Sequence, residues 1–496
     1  MSVVQPSVES RAALAEATLG MNDFQRRVEV GQRYGAALGR AGLTETYIDY
    51  NIGDALPGTT KDALVRHGAP YDAYGGRAAG VAFNLVSSLP VTIMGAKPMG
   101  PELAYLDRIS DMTGIQQPTF TDIGTAVPDS AFVYPFIGTA ELNKKYPGRT
   151  FAPAMPYNHK GNMRRSTVEV AGSESVVPGA ELYAADHDEF DPYAASVYDA
   201  LRRQNPASGR TWLKLAETAS GLSTVRFTEE QLAAVGFTGV RHELLTMFGR
   251  SPRGELQVAD VVVEHHVDFG EHEGQPADYN LRGAKTADGQ FVPQTVGRQV
   301  SNSGGEYIGA VMVDCDDPEA LGTIGLTADT FVRAASTVSS LARRMGEDYP
   351  FGPMSVDFFS QQLDPDSPVQ MRDFNMREGG TTFGGFIGSL RKQLWPGASG
   401  VLDAEYKIDA KRVMSEQELS TMLEKMYGAD VVPYASSFLM YPQVAEDGSA
   451  TYTMKVVAPF NGIVRADDDI IKEMRRRAAQ FNAIVDTPVA TFRSSL

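Results

Sequence analysis

The sequence SVDFFSQQLDPDSPVQMRDFNMREGGTTFGG occupies residues 355–385 and carries the strongest indication of the fold. Ser355–Phe359 and Val369–Met376 are predicted strands. The segment between them, LDPDSP (363–368), has the Asp and Pro spacing that favours a turn. We therefore expect a β-hairpin that is followed by a glycine-rich segment and then a helix.

This hairpin would bring three oxygen-bearing side chains together. Asp357 lies on the first strand, while Asp373 and Asn375 are two residues apart on the second and share a face. Two carboxylates and an amide oxygen suit a hard cation such as Mg2+. Arg377 continues that face, and a guanidinium beside a metal indicates a phosphate ligand. The alternative is a solvated acidic surface hairpin, but the backbone N–H groups of the glycine-rich segment that follows can also bind anions.

Composition excludes several classes of protein. The 496 residues carry a net charge of −17, so broad binding to nucleic acid or to an anionic membrane is disfavoured. A single cysteine, Cys315, allows no intrachain disulfide and no cysteine-based zinc site. No apolar run is long enough for a membrane helix, and the N-terminus lacks a signal-peptide pattern. We therefore expect a cytoplasmic protein.

Apolar runs, Gly/Pro loops and helices alternate in the first part of the chain, which predicts a small α/β domain over residues 1–155. Residues 156–245 are predicted to form a second unit and residues 246–400 a third, which contains the hairpin. Residues 401–496 are predicted to add an α/β extension. The fold class is therefore mixed α/β.

The strand RTWLKL ends near Lys214 and enters the small-residue loop AETASGLSTV. A lysine that precedes such a loop is a phosphate-binding arrangement, because the amine and the loop N–H and hydroxyl groups can surround an anion. The segment does not have the G-x-x-x-x-G-K-[ST] pattern. The alternative for Lys214 is a surface lysine whose aliphatic stem covers apolar groups.

Three histidines lie in VVVEHHVDFGEHEG (261–274) and raise the possibility of a metal site. His265 and His266 are adjacent, so on a strand they point to opposite faces and do not easily share one ion. Packing or ligand contact at the end of the strand is the favoured interpretation of this segment.

Taken together, these motifs resemble the ATP-grasp superfamily over roughly residues 156–390. The most specific part is the Asp357 strand followed by Asp373, Asn375 and Arg377, since the family typically has Glu-x-Asn-x-Arg there and Asp373 replaces the Glu. The tail NMREGGTTFGG is similar to the actinobacterial peptide ligases of the pheganomycin type. The resemblance implies an ATP-grasp fold that is preceded by a substrate-binding domain.

The resemblance also implies roles for individual residues. Asp357, Asp373 and Asn375 would hold one or two Mg2+ ions, with Mn2+ as an alternative, and Arg377 would steady the transferred phosphoryl group. Lys160 and Lys214 would contact the ATP phosphates, with Arg164 or Arg165 as alternatives to Lys160. The loop that covers the triphosphate would contribute Ser220, Gly221 and Ser223. Glu264 and Val267 would lie beside the adenine, and Glu271 would bind the ribose. Arg298 is a further phosphate candidate. His265 stands where the family often has Lys, which leaves that contact open.

The function implied is an ATP- and Mg2+-dependent carboxylate–amine ligase that forms an amide through an acyl-phosphate in specialised, antibiotic-type metabolism. Its partners would be a small carboxylate and an amine, either an amino acid or a peptide, and a homodimer is common among such enzymes. One alternative is an ATP-grasp enzyme with another nucleophile or a non-amino-acid carboxylate. The other is a non-catalytic nucleotide-binding protein, against which the full hairpin set argues.

Overall fold

The computed structural model describes residues 7–49, 89–95, 98–122, 124–135, 138–151, 155–217, 224–250, 253–269, 275–301, 307–361, 366–377, 382–434, 442–484 and 490–491. Its helices are α1 (Val8–Ala17), α2 (Asp23–Arg40), α3 (Gly100–Thr113), α4 (Ala140–Lys145), α5 (Met155–Asn158), α6 (Lys160–Ala171), α7 (Phe190–Ser208), α8 (Glu229–Met247), α9 (Pro318–Thr323), α10 (Ala328–Met345), α11 (Thr382–Ser389), α12 (Arg391–Leu394), α13 (Glu416–Gly428) and α14 (Asp467–Ile484). Among these helices, none combines the length and the hydropathy of a transmembrane segment.

The strands form three sheets. They are β1 (Glu45–Asp49), β2 (Val91–Met94), β3 (Thr119–Thr121), β4 (Ala131–Pro135), β5 (Gly179–Leu182), β6 (Arg210–Leu215), β7 (Thr224–Thr228), β8 (Val261–His265), β9 (Pro276–Lys285), β10 (Phe291–Ser301), β11 (Tyr307–Val313), β12 (Gly352–Gln361), β13 (Gln370–Asn375), β14 (Gly400–Ala410), β15 (Val432–Tyr434), β16 (Gln443–Val444), β17 (Ala450–Phe460) and β18 (Ala490–Thr491). Parallel and antiparallel pairings both occur, so the predicted mixed α/β class is confirmed.

The predicted hairpin is the pair β12–β13, which forms one edge of the large sheet. Within the described residues this sheet has ten strands in the order β13-β12-β9-β10-β11-β14-β17-β15, with β16 beside β17 and β18 beside β14. Its pairings are antiparallel. Side chains alternate between the two faces of such a sheet, so the polar and apolar residues of β9 separate cleanly.

The apolar face of the large sheet packs against α10. Phe331 on this helix is fully buried, as are Tyr279 on β9 and Phe358 on β12, whose rings stack at 5.4 Å. The predicted apolar stripe of α10 is confirmed, because its members are all buried: Phe331, Ala334, Ala335, Val338, Leu341 and Ala342. This packing leaves the polar face of β9 and β12 for the site.

The N-terminal sheet is parallel and, as far as it is described, has the order β3-β2-β1-β4. Parallel neighbours need a crossover connection, and α3 supplies it between β2 and β3. Ile48, Ile93 and Phe132 are buried at its centre. The alternation of strand, loop and helix that was predicted for this region is thus present in the described part.

Helix α2 fixes the N-terminal region against the large sheet. Its start is capped reciprocally by Asn22 and Gln25. Arg26 is fully buried; its Nε donates to the Pro293 carbonyl at 2.7 Å, and its Nη2 donates to Asp23 at 2.8 Å. A buried arginine with such partners holds the helix in one register on β10, and the next residue, Arg27, is thereby placed over the polar face of the sheet.

The small sheet is antiparallel, with the order β5-β8-β6-β7 in the described residues. Helices α7 and α8 pack on it through a second apolar core that includes Val197, Leu213, Leu244 and Val263. Because Leu213 and Val263 face this core, their neighbours Lys214 and Glu264 face the other way. That other face is the one that meets the hairpin.

Two of the predicted domain boundaries fall inside these sheets. The boundary at 245/246 separates β8 from β5 and β6, the two strands with which it pairs. The boundary at 400/401 cuts the start of β14, which pairs with β11 across the middle of the large sheet. Long-range strand pairing carries no local sequence signal at either point, so composition alone did not place them.

Candidate active site

The carboxylates of the hairpin lie directly opposite each other. Asp357 on β12 pairs with Asp373 on β13, and the register shifts by one residue immediately after Asp357. Asn375 is two residues further along and pairs with Ser355, so it shares the face of Asp373. The structure thus brings together the three side chains that the sequence predicted as metal ligands.

The two aspartates differ sharply in their electrostatics. Burial and the nearby Asp278 and Asp373 raise the pKa of Asp357 to about 7. Burial alone would also raise the pKa of Asp373, but Lys160, Lys214 and other cations outweigh it and lower this pKa to about 2. Two carboxylates this close repel one another, and a divalent cation between them would relieve the repulsion.

Three side chains of β9 complete this face: Asp278, Asn280 and Arg282. Asn280 donates to the Asp357 carboxylate at 2.5 Å, and Arg282 donates to the Asn280 amide oxygen at 2.9 Å. Asp278 accepts from Arg372 at 2.9 Å. Sequence reasoning missed these three residues of β9 and also Arg372 on β13. The signal for β9 was the alternation DYNLR (278–282), in which polar residues are separated by apolar ones.

Two lysines face the hairpin from the other side. Lys214 on β6 is 3% exposed and forms an ion pair of 2.5 Å with Glu264 on β8. Lys160, the first residue of α6, lies 3.9 Å from Asp373. Burial lowers the pKa of Lys160, with Lys214 and Arg377 adding to the effect and Asp373 opposing it. A cluster of cations thus lies against the ionised Asp373, which is the charge pattern that a metal–polyphosphate ligand requires.

His159 positions Lys160. Its Nδ1 accepts the backbone N–H of Asn162 at 3.1 Å, which caps α6, so its Nε2 carries the proton and donates to Asp260 at 2.9 Å. The ring also stacks on Tyr183. The backbone N–H of Lys160 donates to the carbonyl of Ala216, just after β6. These contacts hold the start of α6 beside the strand that carries Lys214.

The donor set fits a divalent cation held in part by ligands from outside the chain. In the described residues no three His, Cys, Asp or Glu side chains form a metal cluster by themselves. The buried Oδ1 of Asp373 nevertheless accepts no hydrogen bond from any part of the chain that the structure describes. The amide oxygen of Asn375 accepts from Arg377 at 2.5 Å, so it would have to turn from Arg377 or share its oxygen with the ion.

Glu264 and Val267 lie at and just beyond the end of β8. The carboxylate of Glu264 points at Lys214 and is 4% exposed, so in this structure it neutralises the lysine. Val267 follows in a half-buried loop. The neighbouring His266 accepts a hydrogen bond from the Trp212 indole at 2.8 Å. Four further predicted ATP contacts lie outside the described residues: Ser220, Gly221, Ser223 and Glu271.

Arg298 does not join the cluster, which corrects its prediction as a phosphate ligand. It pairs with Tyr279, on the apolar face of the large sheet, and not with Asn280. Its Nε and Nη2 donate to Asp467 at 3.0 and 2.7 Å, and its side chain is fully buried. Arg298 therefore ties α14 to the sheet from the side opposite Asp357.

The role of Arg298 leads to a first prediction. Arg298→Lys keeps the charge but loses the forked contact with Asp467, so we expect it to lower the free energy of unfolding by about 1 to 2 kcal/mol. The KM for ATP should stay within about twofold, because Arg298 is on the far face. Urea denaturation and steady-state kinetics measure the two effects. If the KM for ATP rose about tenfold or more without loss of stability, Arg298 would be a phosphate ligand after all.

Comparison with known proteins gives distant likenesses only. No family model and no curated protein matches the chain. Among solved structures, the biotin carboxylase domain of 2-oxoglutarate carboxylase from Hydrogenobacter thermophilus, in complex with MgADP, ADP and bicarbonate, is 10% identical with a TM-score of 0.45 and covers 88% of this chain and 89% of that one.

Two ligases are also similar to parts of the chain. D-cycloserine synthetase DcsG is 15% identical with a TM-score of 0.36, covering 59% of this chain and 94% of that one. D-alanine–D-alanine ligase from Helicobacter pylori is 12% identical with a TM-score of 0.33, covering 52% and 68%. Identities and TM-scores this low leave the function to be inferred from the site itself.

Proposed function

We propose that this protein is an ATP- and Mg2+-dependent ligase that joins a carboxylate to an amine through an acyl-phosphate. The observation that carries the proposal is the meeting of Lys160 and Lys214, on the small-sheet side, with the Asp357–Asp373 pair at the edge of the large sheet. Cations on one side and acidic metal ligands on the other suit a Mg2+-bound triphosphate. The ATP-grasp motifs in the sequence point to the same chemistry.

Each group would then have a defined task. Asp357, Asp373 and Asn375 would hold Mg2+, which offsets negative charge on the transferred phosphoryl group. Lys160 and Lys214 would bind the phosphates, and the ion pair with Glu264 would hold Lys214 in position until ATP arrives. Arg377, held beside Asn375, would stabilise the charge that develops on the acyl-phosphate.

The order of bond changes follows from the chemistry of carboxylates. A carboxylate is a poor electrophile, so its oxygen first takes the γ-phosphoryl group and ADP leaves. The amine then attacks the acyl carbon, phosphate departs, and the amine loses a proton. Water must be excluded during this interval because it would hydrolyse the acyl-phosphate. We also propose a role in natural-product metabolism, because the NMREGGTTFGG tail resembles peptide ligases of the pheganomycin type.

A nucleotide product assay tests the proposal. The protein is incubated with ATP, Mg2+ and pools of carboxylic acids, with and without hydroxylamine, and ADP is separated from AMP. We expect acid-dependent ADP and phosphate, together with a hydroxamate formed from the trapped acyl-phosphate. AMP and pyrophosphate would mean adenylation and would overturn the mechanism. ATP binding without turnover in any pool would favour a non-catalytic nucleotide-binding protein.

A further inference from the structure

A recess lies on the polar face of the large sheet beside the proposed metal ligands. The space between its walls is about 250 Å3, part of it open to solvent, and the walls come from β9, β10, β12, α2 and the start of α11. The side chains of Arg27, Arg282 and Arg377 line it. Within the described residues its lining includes no Asp or Glu, although the protein as a whole has a net charge of −17. We call it the arginine recess, and its charge selects an anion.

Hydrogen bonds to other side chains position two of these arginines. Arg282 donates to Thr382 at 2.6 Å and to Asn280, which itself contacts Asp357. Arg27 donates to the hydroxyl of Thr295 and is 2% exposed. An anion in this recess would lie next to the site where the phosphoryl group is proposed to be transferred. A carboxylate waiting to be activated is such an anion.

A second recess continues from the first. Its volume is about 500 Å3, part of it open to solvent, and the two share Gly283, Gln294 and Pro353 in their walls. The rest of its lining is mainly apolar and includes Val30, Tyr34, Ala37, Tyr134, Phe151 and Phe351. We call it the aromatic recess. Its rings are interlocked edge to face, for example Tyr34 against Phe351 at 5.7 Å, so its walls are rigid.

Gln294 stands where the two recesses join. It is the extra residue of a β-bulge in β10, between Pro293 and Thr295, and such bulges redirect a side chain. Gln294 is 4% exposed and is part of the lining of both recesses. Its amide has both a donor and an acceptor, so it can bond to a polar group of a ligand that spans the two recesses.

We propose that the two recesses together bind the carboxylic acid substrate, and that this acid has an apolar body rather than a second acidic group. Its carboxylate lies among Arg27, Arg282 and Arg377, its body fills the aromatic recess, and a polar substituent between them bonds to Gln294. This inference rests on the proposed function for the identity of the bound acid as a substrate. It extends that function by naming the chemical class, which includes apolar amino acids.

Direct binding tests the inference without requiring turnover. The probes for isothermal titration are 3-phenylpropanoate, glutarate and 2-phenylethylamine, with and without a non-hydrolysable ATP analogue and Mg2+. We expect 3-phenylpropanoate to bind at least about tenfold more tightly than either of the others, because glutarate lacks the phenyl group that the aromatic recess would bury and 2-phenylethylamine lacks the carboxylate that the arginines would bind. Tighter binding of glutarate would contradict the apolar class, and tighter binding of the amine would assign the recess to the other substrate.

Two alanines on α2 supply a matched pair of variants. Ala37 lines the aromatic recess, whereas its neighbour Ala36 is exposed on the outer side of the helix. Ala37→Phe should weaken 3-phenylpropanoate binding at least about tenfold by filling the space, and Ala36→Phe, with the same helix propensity cost, should change it less than about twofold. Equal effects of the two variants, or no saturable binding of 3-phenylpropanoate by the unmodified protein in either condition, would overturn the inference.

Gln294→Met tests the junction of the recesses at nearly constant volume. It should weaken the binding of phenylalanine, whose amino group lies between the carboxylate and the ring, by about five- to tenfold, and should leave 3-phenylpropanoate nearly unchanged. An equal loss for both probes would contradict the hydrogen-bonding role. The nucleotide product assay is separate: acid-dependent ADP formation with only small or acidic substrates would remove this inference and leave the proposed ligase intact.

Discussion

Asp357→Asn is expected to lower ATP-dependent turnover by about a thousandfold and to leave the fold intact. The change keeps the shape of the side chain but removes one of two facing carboxylates, whose charge the metal requires. Asp373→Asn should have an effect of similar size, because this carboxylate is ionised, with a pKa of about 2, and its buried Oδ1 has no hydrogen-bond donor among the described residues. Steady-state ADP release measures both.

Asp357→Asn should not lower the free energy of unfolding, although it lowers turnover. In the folded protein the pKa of Asp357 is raised from 3.8 to about 7, chiefly by burial and then by Asp278 and Asp373. The folded state therefore holds a proton that the unfolded chain releases, so stability should fall as pH rises from about 4 to 7, by at most about 1.4 kcal/mol per pH unit. Asp357→Asn removes this decline, and the variant should be at least as stable as the unmodified protein at pH 7 without metal.

Asp409→Asn is the matched control. Asp409 is a half-buried aspartate on β14 of the same sheet, four strands away from β12, and it accepts from Thr451 at 2.6 Å. Its replacement should leave turnover within about twofold. Denaturation at several pH values without metal measures the pH dependence of stability, and the same experiment with Mg2+ measures the stabilisation by the metal. Near-normal turnover in both Asp357→Asn and Asp373→Asn would reject the metal site and the ligase assignment together.

Lys214→Met is expected to abolish ATP turnover and to destabilise the protein by about 3 to 5 kcal/mol. The lysine and its partner Glu264 are both nearly fully buried, so removal of the amine leaves a carboxylate without its counter-ion away from water. In the double variant Lys214→Met/Glu264→Gln the uncompensated charge is gone. We expect most of the lost stability to return, while turnover stays absent because the phosphates still lack their lysine.

This pair of variants separates stability from chemistry. Urea denaturation gives the free energies of unfolding, and titration with ATP and Mg2+ gives the affinity. Lys472→Met, a change of an exposed lysine on α14, should alter either quantity very little, with a stability change of at most about 0.5 kcal/mol. Retention of normal ATP affinity in the double variant would show that Lys214 is not a phosphate ligand. If the double variant were no more stable than Lys214→Met, another group would compensate the charge of Glu264.

The contribution of β9 shows where sequence reasoning stopped. Asp278, Asn280 and Arg282 lie some 75 residues before the hairpin along the chain, yet β9 is the direct neighbour of β12. The alternation of polar residues on β9 was visible, but nothing in it says which strand lies beside it. Arg298 was misassigned for the same reason: one residue's difference in register turns a side chain from the polar face to the apolar face.

Elements with local sequence signals could be predicted from the chain alone. These include the hairpin with Asp357, Asp373 and Asn375, the apolar stripe of α10 and the strand that carries Lys214, because turn residues and hydrophobic periodicity act over a few residues. Three contacts could not be predicted in this way: Lys160 with Asp373, Glu264 with Lys214, and Arg27 of α2 with Thr295 of β10. These contacts join residues that are distant in the chain, and they depend on strand order, register and helix packing, which no short segment encodes.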